Sequence, residues 1–192
     1  MLKWKILGAA ALLLPAAFAA AATVIELGER ELVARAQAIV IGEVIGASSR
    51  YRGDYIVTDF TVRLERTALK GDLAGGQIMT LTELGGEVDG LGMQVSGVPQ
   101  YRIGERVAVF ADARSDGSYR TLGLWQGKFR IAGAEVVGEL EAQSEELGSE
   151  LAGDASVMLA SDGAARFPAR MALEDFVRRV ETLVLEQQEV RP

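Results

Sequence analysis

Three carboxylates, Glu83, Glu87 and Asp89, stand close together beside the glycine-rich stretch Glu87–Gly92. Paired carboxylates can drive glycoside hydrolysis or hold a hard cation. The spacing does not match an EF-hand loop, and a solvated loop is the simpler account. A second group, Tyr101, Arg102, Trp125, Lys128 and Arg130, mixes aromatic rings with basic heads. Such a face on a small barrel can stack and pair with ligands. Strand alternation gives a plainer reading, in which Trp125 fills the end of a barrel and Lys128 and Arg130 flank buried Phe129 and Ile131. Glu87, Asp89, Tyr101, Arg102, Trp125 and Lys128 are the candidate binding residues. No catalytic residue, metal ligand set or cofactor is expected.

The residue types that are missing restrict the chemistry further. The chain has no His and no Cys. Imidazole acid–base chemistry, His-based triads, thiolate nucleophiles, disulfides and Cys/His zinc sites are all excluded. Ser96 lies in Val-Ser-Gly rather than in a nucleophile elbow, and its only available bases would be Lys70 or Lys128. The glycine-rich runs give no strand–Gly-x-Gly-x-x-Gly–helix, and Lys70-Gly71 lacks the phosphate-loop spacing. Turn geometry accounts for these glycines.

These residues need a scaffold, and the scaffold reads as mainly β. Of 192 residues, 22 are Gly and 4 are Pro, and Val, Ile and Thr cluster between the glycines. A short helix is expected from Glu29 or Glu31, with Leu32, Val33 and Ala36 on one side. Ala38–Ile45 reads as a strand buried on both faces or as barrel wall, with Gly42 marking a bend or a close backbone approach. Ser48–Asp54 reads as a polar turn. In Tyr55–Thr67, apolar Ile56, Phe60, Val62 and Leu64 alternate with a polar face. Gln77–Leu84 reads as a further strand, Glu87–Gly92 as a loop and Met93–Ser96 as a short strand. Arg106–Ala111 reads as buried on both faces, and Ser115–Ser118 as an Asp-Gly hairpin turn. Tyr119–Trp125 and Lys128–Ala132 complete a small antiparallel barrel, expected over residues 23–133. Residues 134–166 read as an acidic linker, with six acidic residues in Glu139–Asp154. In 167–192, Leu173, Phe176, Val177, Val180, Leu183 and Val184 recur at helical spacing. Such a stripe docks on its own domain, or alternatively on a partner.

Residues 1–22 read as a signal peptide. Lys3 and Lys5 precede the apolar run Ile6–Leu14, Pro15 breaks it, and small residues follow to Ala22. The expected location is periplasmic or secreted. Without Lys3 and Lys5, the formal charge of −7 becomes −9, which disfavours nucleic acid as a partner. No membrane association is expected after cleavage.

The stretches AQAIVIGEV, DFTVRLERTALKGDLAGGQIMTL and YRIGERVAVFA resemble the netrin/tissue-inhibitor-of-metalloproteinase class of OB-type barrels. The matching positions are Ala38, Val40, Gly42 and Val44; Leu69, Lys70 and Gly71; and Gly104, Val107 and Phe110. GLWQGKFRI resembles exported bacterial proteins that carry such a barrel, some joined to a matrixin-like metalloprotease. The resemblance spans roughly residues 31–132. It implies an OB-like barrel and a protein partner of the exported metalloprotease kind. The animal inhibitors chelate the protease zinc through an N-terminal Cys, and this chain has none. The expected function is a non-enzymatic exported binding module. The alternatives are a carboxylate-dependent hydrolase and a cation-binding envelope protein.

Overall fold

Ala38–Ile41 contains no polar side chain, so a strand built from it must be covered on both faces. The architecture supplies both covers. The structure, a computed structural model, describes residues 24–139, 141–142, 159–160 and 165–190. The expected signal peptide and most of the acidic stretch Glu139–Asp154 lie outside these residues.

The elements follow in order: β1 (Val24–Ile25), α1 (Glu29–Arg35), β2 (Ala38–Arg52), β3 (Tyr55–Leu64), β4 (Ile78–Leu84), β5 (Gly86–Val88), β6 (Leu91–Met93), β7 (Arg106–Ala113), β8 (Tyr119–Thr121), a 3₁₀ turn (Leu124–Gly127), β9 (Lys128–Ala132), β10 (Glu135–Gly138), β11 (Leu159–Ala160), β12 (Arg170–Ala172) and α2 (Leu173–Val190). Strands β7-β2-β3-β4-β8 form a sheet that closes on itself. β8 runs parallel to β4 at Leu81–Tyr119 and antiparallel to β7 at Ala111–Thr121. The result is a closed five-stranded barrel, compatible with an OB-like barrel. Beyond β7, the sheet continues outward through β9, β10 and β12.

The pleat divides the apolar side chains between two cores. Val40, Val44, Phe60, Val62, Leu64, Met79, Leu81, Val107 and Val109 fill the barrel. Ile39, Ile41, Ala108 and Phe110, from the opposite faces of β2 and β7, join Leu32, Val33, Phe129, Ile131, Phe176, Val180 and Leu183 in a second core outside it. β2 over Ala38–Gly42 and β7 over Val107–Ala111 are thus buried on both faces, whereas Ile45, in the segment expected to be buried, is exposed. At Gly42, a Cβ would lie 2.6 Å from the Arg63 carbonyl oxygen, so only glycine allows β3 to approach there.

The Leu69-Lys70-Gly71 segment ties the outer core to the helices. Leu69 packs against the outer core. The Lys70 ammonium donates to the carbonyls of Val33 at 2.6 Å and Ala34 at 3.2 Å, near the C-terminal end of α1. α2 docks on its own domain through Phe176, Val180 and Leu183, and Phe176, Phe110, Phe129 and Phe167 lie mutually within 5.0–6.2 Å. Among the described residues, no helix is long and apolar enough to cross a membrane.

Five local expectations are corrected. The short strand expected at Met93–Ser96 lies earlier, at Leu91–Met93, where it pairs with Gly86–Val88. Ser48–Arg52 continues β2 rather than turning, because its backbone pairs with Tyr55–Asp59 and Arg50 binds Asp59 at 2.7 Å. The turn itself is confined to Gly53-Asp54. Glu87–Gly92 is not an open loop but a hairpin, with Gly86 opposite Met93 and the turn made by Asp89 (φ 51°) and Gly90 (φ 78°). The expected strand Tyr119–Trp125 ends at Thr121, where the chain enters the 3₁₀ turn. Lys128, expected on a wet face, is buried.

Candidate functional site

The connection from β4 to β7 crosses one end of the barrel and carries most of the residues selected from the sequence. Tyr101 belongs to the barrel core, with its ring 5.1 Å from that of Phe60. It, rather than Trp125, plugs the barrel. Trp125 sits outside, in the 3₁₀ turn, and donates its amide to the Gly97 carbonyl at 3.1 Å. The tight corner depends on Gly127, where a Cβ would lie 2.3 Å from the Leu122 carbonyl oxygen. The Gln126 side chain accepts from the Leu27 amide at 2.7 Å and donates to the Ile25 carbonyl at 3.1 Å, tying down the start of the described chain.

Behind Tyr101 runs a chain of buried polar groups. Glu83 accepts from the Thr121 amide at 2.7 Å and from its hydroxyl at 2.6 Å. The Thr121 and Tyr101 hydroxyls are 2.5 Å apart. The Lys128 ammonium lies 4.8 Å from the Tyr101 ring centroid. It is held 3.0 Å from both Glu105 and Glu139, and it donates to the Gln100 carbonyl. Arg130 reaches Glu105 at 3.4 Å. With side chains 2–7% exposed, Lys128, Glu105 and Glu139 form a buried ion triad, whose cost of desolvation only mutual pairing offsets.

Burial shapes the acid–base properties of this end. It pushes the Glu83 carboxyl up to about 7, although the Thr121 hydrogen bonds and the Arg120 and Arg114 guanidiniums oppose the shift. Burial, reinforced by the Glu83 charge, raises the Tyr101 phenol well above its ordinary value. Glu83 can therefore hold or release a proton near neutrality.

Two cavities flank the network. One of about 330 Å³ is lined by Trp125, Lys128, Phe129, Glu139, Arg166 and Phe167, among others. The other, of about 240 Å³, is bounded by Arg35, Glu83, Leu84, Arg114, Arg120 and Leu122, among others.

The six selected residues therefore divide. Tyr101, Trp125 and Lys128 are buried and belong to this end of the barrel, whereas Glu87, Asp89 and Arg102 are exposed on the connection above it. Glu83 faces Thr121 inside, away from the hairpin that carries Glu87 and Asp89. Among the described residues, no three acidic side chains are grouped to hold a metal. Sequence reasoning missed Glu105, Thr121 and Glu139. The available signal was Lys128 itself, one of two lysines left after the leader, beginning a strand whose buried positions need a counter-charge. The chain matches no protein-family model and none of the curated proteins.

Proposed function

We propose that the protein is an exported, non-catalytic binding module that engages a protein partner through the β4–β7 connection. The observation that carries this reading is on that connection. Leu91, in the hairpin that carries Glu87 and Asp89, is 64% exposed, and Ile103, next in sequence to exposed Arg102, is 67% exposed. Large apolar side chains rimmed by charge are a common signature of protein interfaces. The interior behind them is cross-linked by hydrogen bonds and ion pairs, which gives the surface a rigid base. The resemblance of the barrel segments to metalloprotease-associated proteins supports an exported metalloprotease as that partner, and the leader-like N-terminus supports export.

The test is a pull-down from the native cell envelope with the processed protein and an L91D/I103D variant. The expected result is a partner retained by the wild type and lost by the variant, with unchanged circular dichroism. Recovery of the same proteins by both would reject this surface.

A further inference from the structure

We propose that the cavity bounded by Glu83, Arg114 and Arg120 is a binding site for a small carboxylate with a short apolar body. This site is separate from the protein-docking surface and does not depend on it. Three guanidiniums, from Arg35, Arg114 and Arg120, line the cavity in a chain that is acidic overall. Arg35 is paired with Glu31 and Arg120 with Asp112. The Arg114 side chain makes no hydrogen bond or salt bridge to the described residues, although the Asp116 and Glu83 carboxyls lie within its field, and its Nε is shielded from solvent. A guanidinium with its fork unengaged is suited to a carboxylate, which it can hold through two parallel hydrogen bonds.

The remaining walls restrict the ligand. Leu84, Val98, Leu122 and Leu124 supply apolar surface. The volume of about 240 Å³ lies below the usual range for drug-sized ligands, so the ligand is small. Thr82, Thr121 and Glu83 contribute hydrogen-bonding groups. Protonated Glu83 has an O–H that can donate to an incoming carboxylate, whereas ionised Glu83 would repel it. The groups acting on Glu83 are Arg120 and Thr121 of β8 and Arg114 of the turn after β7. Tyr101 of the β6–β7 connection couples to it through Thr121, and Arg35 of α1 lines the same cavity. The carboxylates facing the three guanidiniums are Glu31 on Arg35, Asp112 on Arg120, and Asp116, which Ser118 and the Arg52 and Arg114 charges hold down at about 2. Of the carboxyls here, Glu83 is the one pushed up to neutrality, and it imposes the pH dependence. Its carboxyl lies at about 7, so the site takes up an anion below neutrality and rejects it above.

The experiment is calorimetric titration of the full processed protein with benzoate, and with benzyl alcohol as an uncharged counterpart. At pH 6 benzoate should bind saturably and benzyl alcohol should not. R114Q should weaken benzoate binding by about tenfold or more, the loss of one charge-assisted pair. Above pH 7 the wild-type affinity should fall by about tenfold per unit. E83Q, which keeps a donor but cannot ionise, should bind at pH 6 and lose little by pH 8. R120Q serves as a second cation variant should R114Q not fold. The proposal is overturned by a flat titration at pH 6, by equal binding of benzyl alcohol, or by a folded R114Q that binds like the wild type.

Discussion

Glu83 accepts two hydrogen bonds from Thr121, at 2.7 Å from its amide and 2.6 Å from its hydroxyl, across the seam where β8 closes the barrel. The bond ties β4 to β8 where their parallel backbone pairing is only one residue long. It also places a carboxyl where burial raises it from 4.5 to about 7. Below the lower value both folded and unfolded chains carry the proton. Between the two values the unfolded chain releases it first, and folding loses free energy as pH rises. By pH 8 the loss is complete, on the order of 3 kcal/mol. Glu83→Gln keeps an acceptor for Thr121 and removes the charge. It should match the wild type near pH 4 and exceed its stability at pH 8 by up to about 3 kcal/mol. Urea unfolding at the two pH values measures this. A variant no more stable than the wild type at pH 8 would show that the ionised carboxylate is well solvated.

Lys128 lies 3.0 Å from both Glu105 and Glu139, so its removal takes a shared counter-charge from two buried carboxylates. Lys128→Met should cost about 3–5 kcal/mol, the penalty of stranding buried charge rather than the net worth of the pair. Adding Glu139→Gln should recover part of that loss, since it removes one of the stranded charges. If the double variant were as unstable as the single, the loss would come instead from the contacts of the ammonium with the Tyr101 ring and the Gln100 carbonyl.

The parts of the fold that were readable from sequence are those governed by local pattern. β2 and β7 advertise double burial because neither Ala38–Ile41 nor Val107–Ala111 contains a polar side chain. β3 advertises its wet face by alternation, and α2 advertises its docking face through Phe176, Val180 and Leu183. The illegible parts depend on partners distant in the chain. Nothing local distinguishes Ser48–Arg52 as strand, because its order comes from Tyr55–Asp59 across the hairpin. Lys128 obeys no alternation because Glu105 and Glu139, from two other segments, make its burial tolerable. Glu83 resembled a member of an acidic cluster in sequence, yet the barrel's closure turned it toward Thr121 and away from Glu87 and Asp89.

Lys70 illustrates how a short motif can be structural. Its ammonium reaches the carbonyls of Val33 and Ala34 and, at 3.4 Å, the side chain of Gln187 on α2. Lys70→Ala should therefore destabilise the protein by about 1 kcal/mol through loss of a charged C-terminal cap. Hydrogen exchange should show the loss concentrated in α1 and the adjoining turn of α2. Uniform loss of protection across the barrel would argue instead that Lys70 supports the β3–β4 connection as a whole.

Phe176 decides whether α2 is an integral part of the domain or an appendage to it. Its ring is fully buried, 5.0 Å from Phe167, 5.2 Å from Phe129 and 6.2 Å from Phe110, so the helix shares a core with β7 and β9. Phe176→Ala would open a cavity in that core and should cost about 3–5 kcal/mol. Leu185, on the same helix but 60% exposed, should tolerate Ala within about 0.5 kcal/mol. The contrast controls for helix propensity, because Ala is favoured over both residues in a helix. A single cooperative transition in F176A, shifted to lower denaturant with an unchanged slope, would place α2 and the barrel in one folding unit. A separate early transition would show that the helix and outer core melt ahead of the barrel.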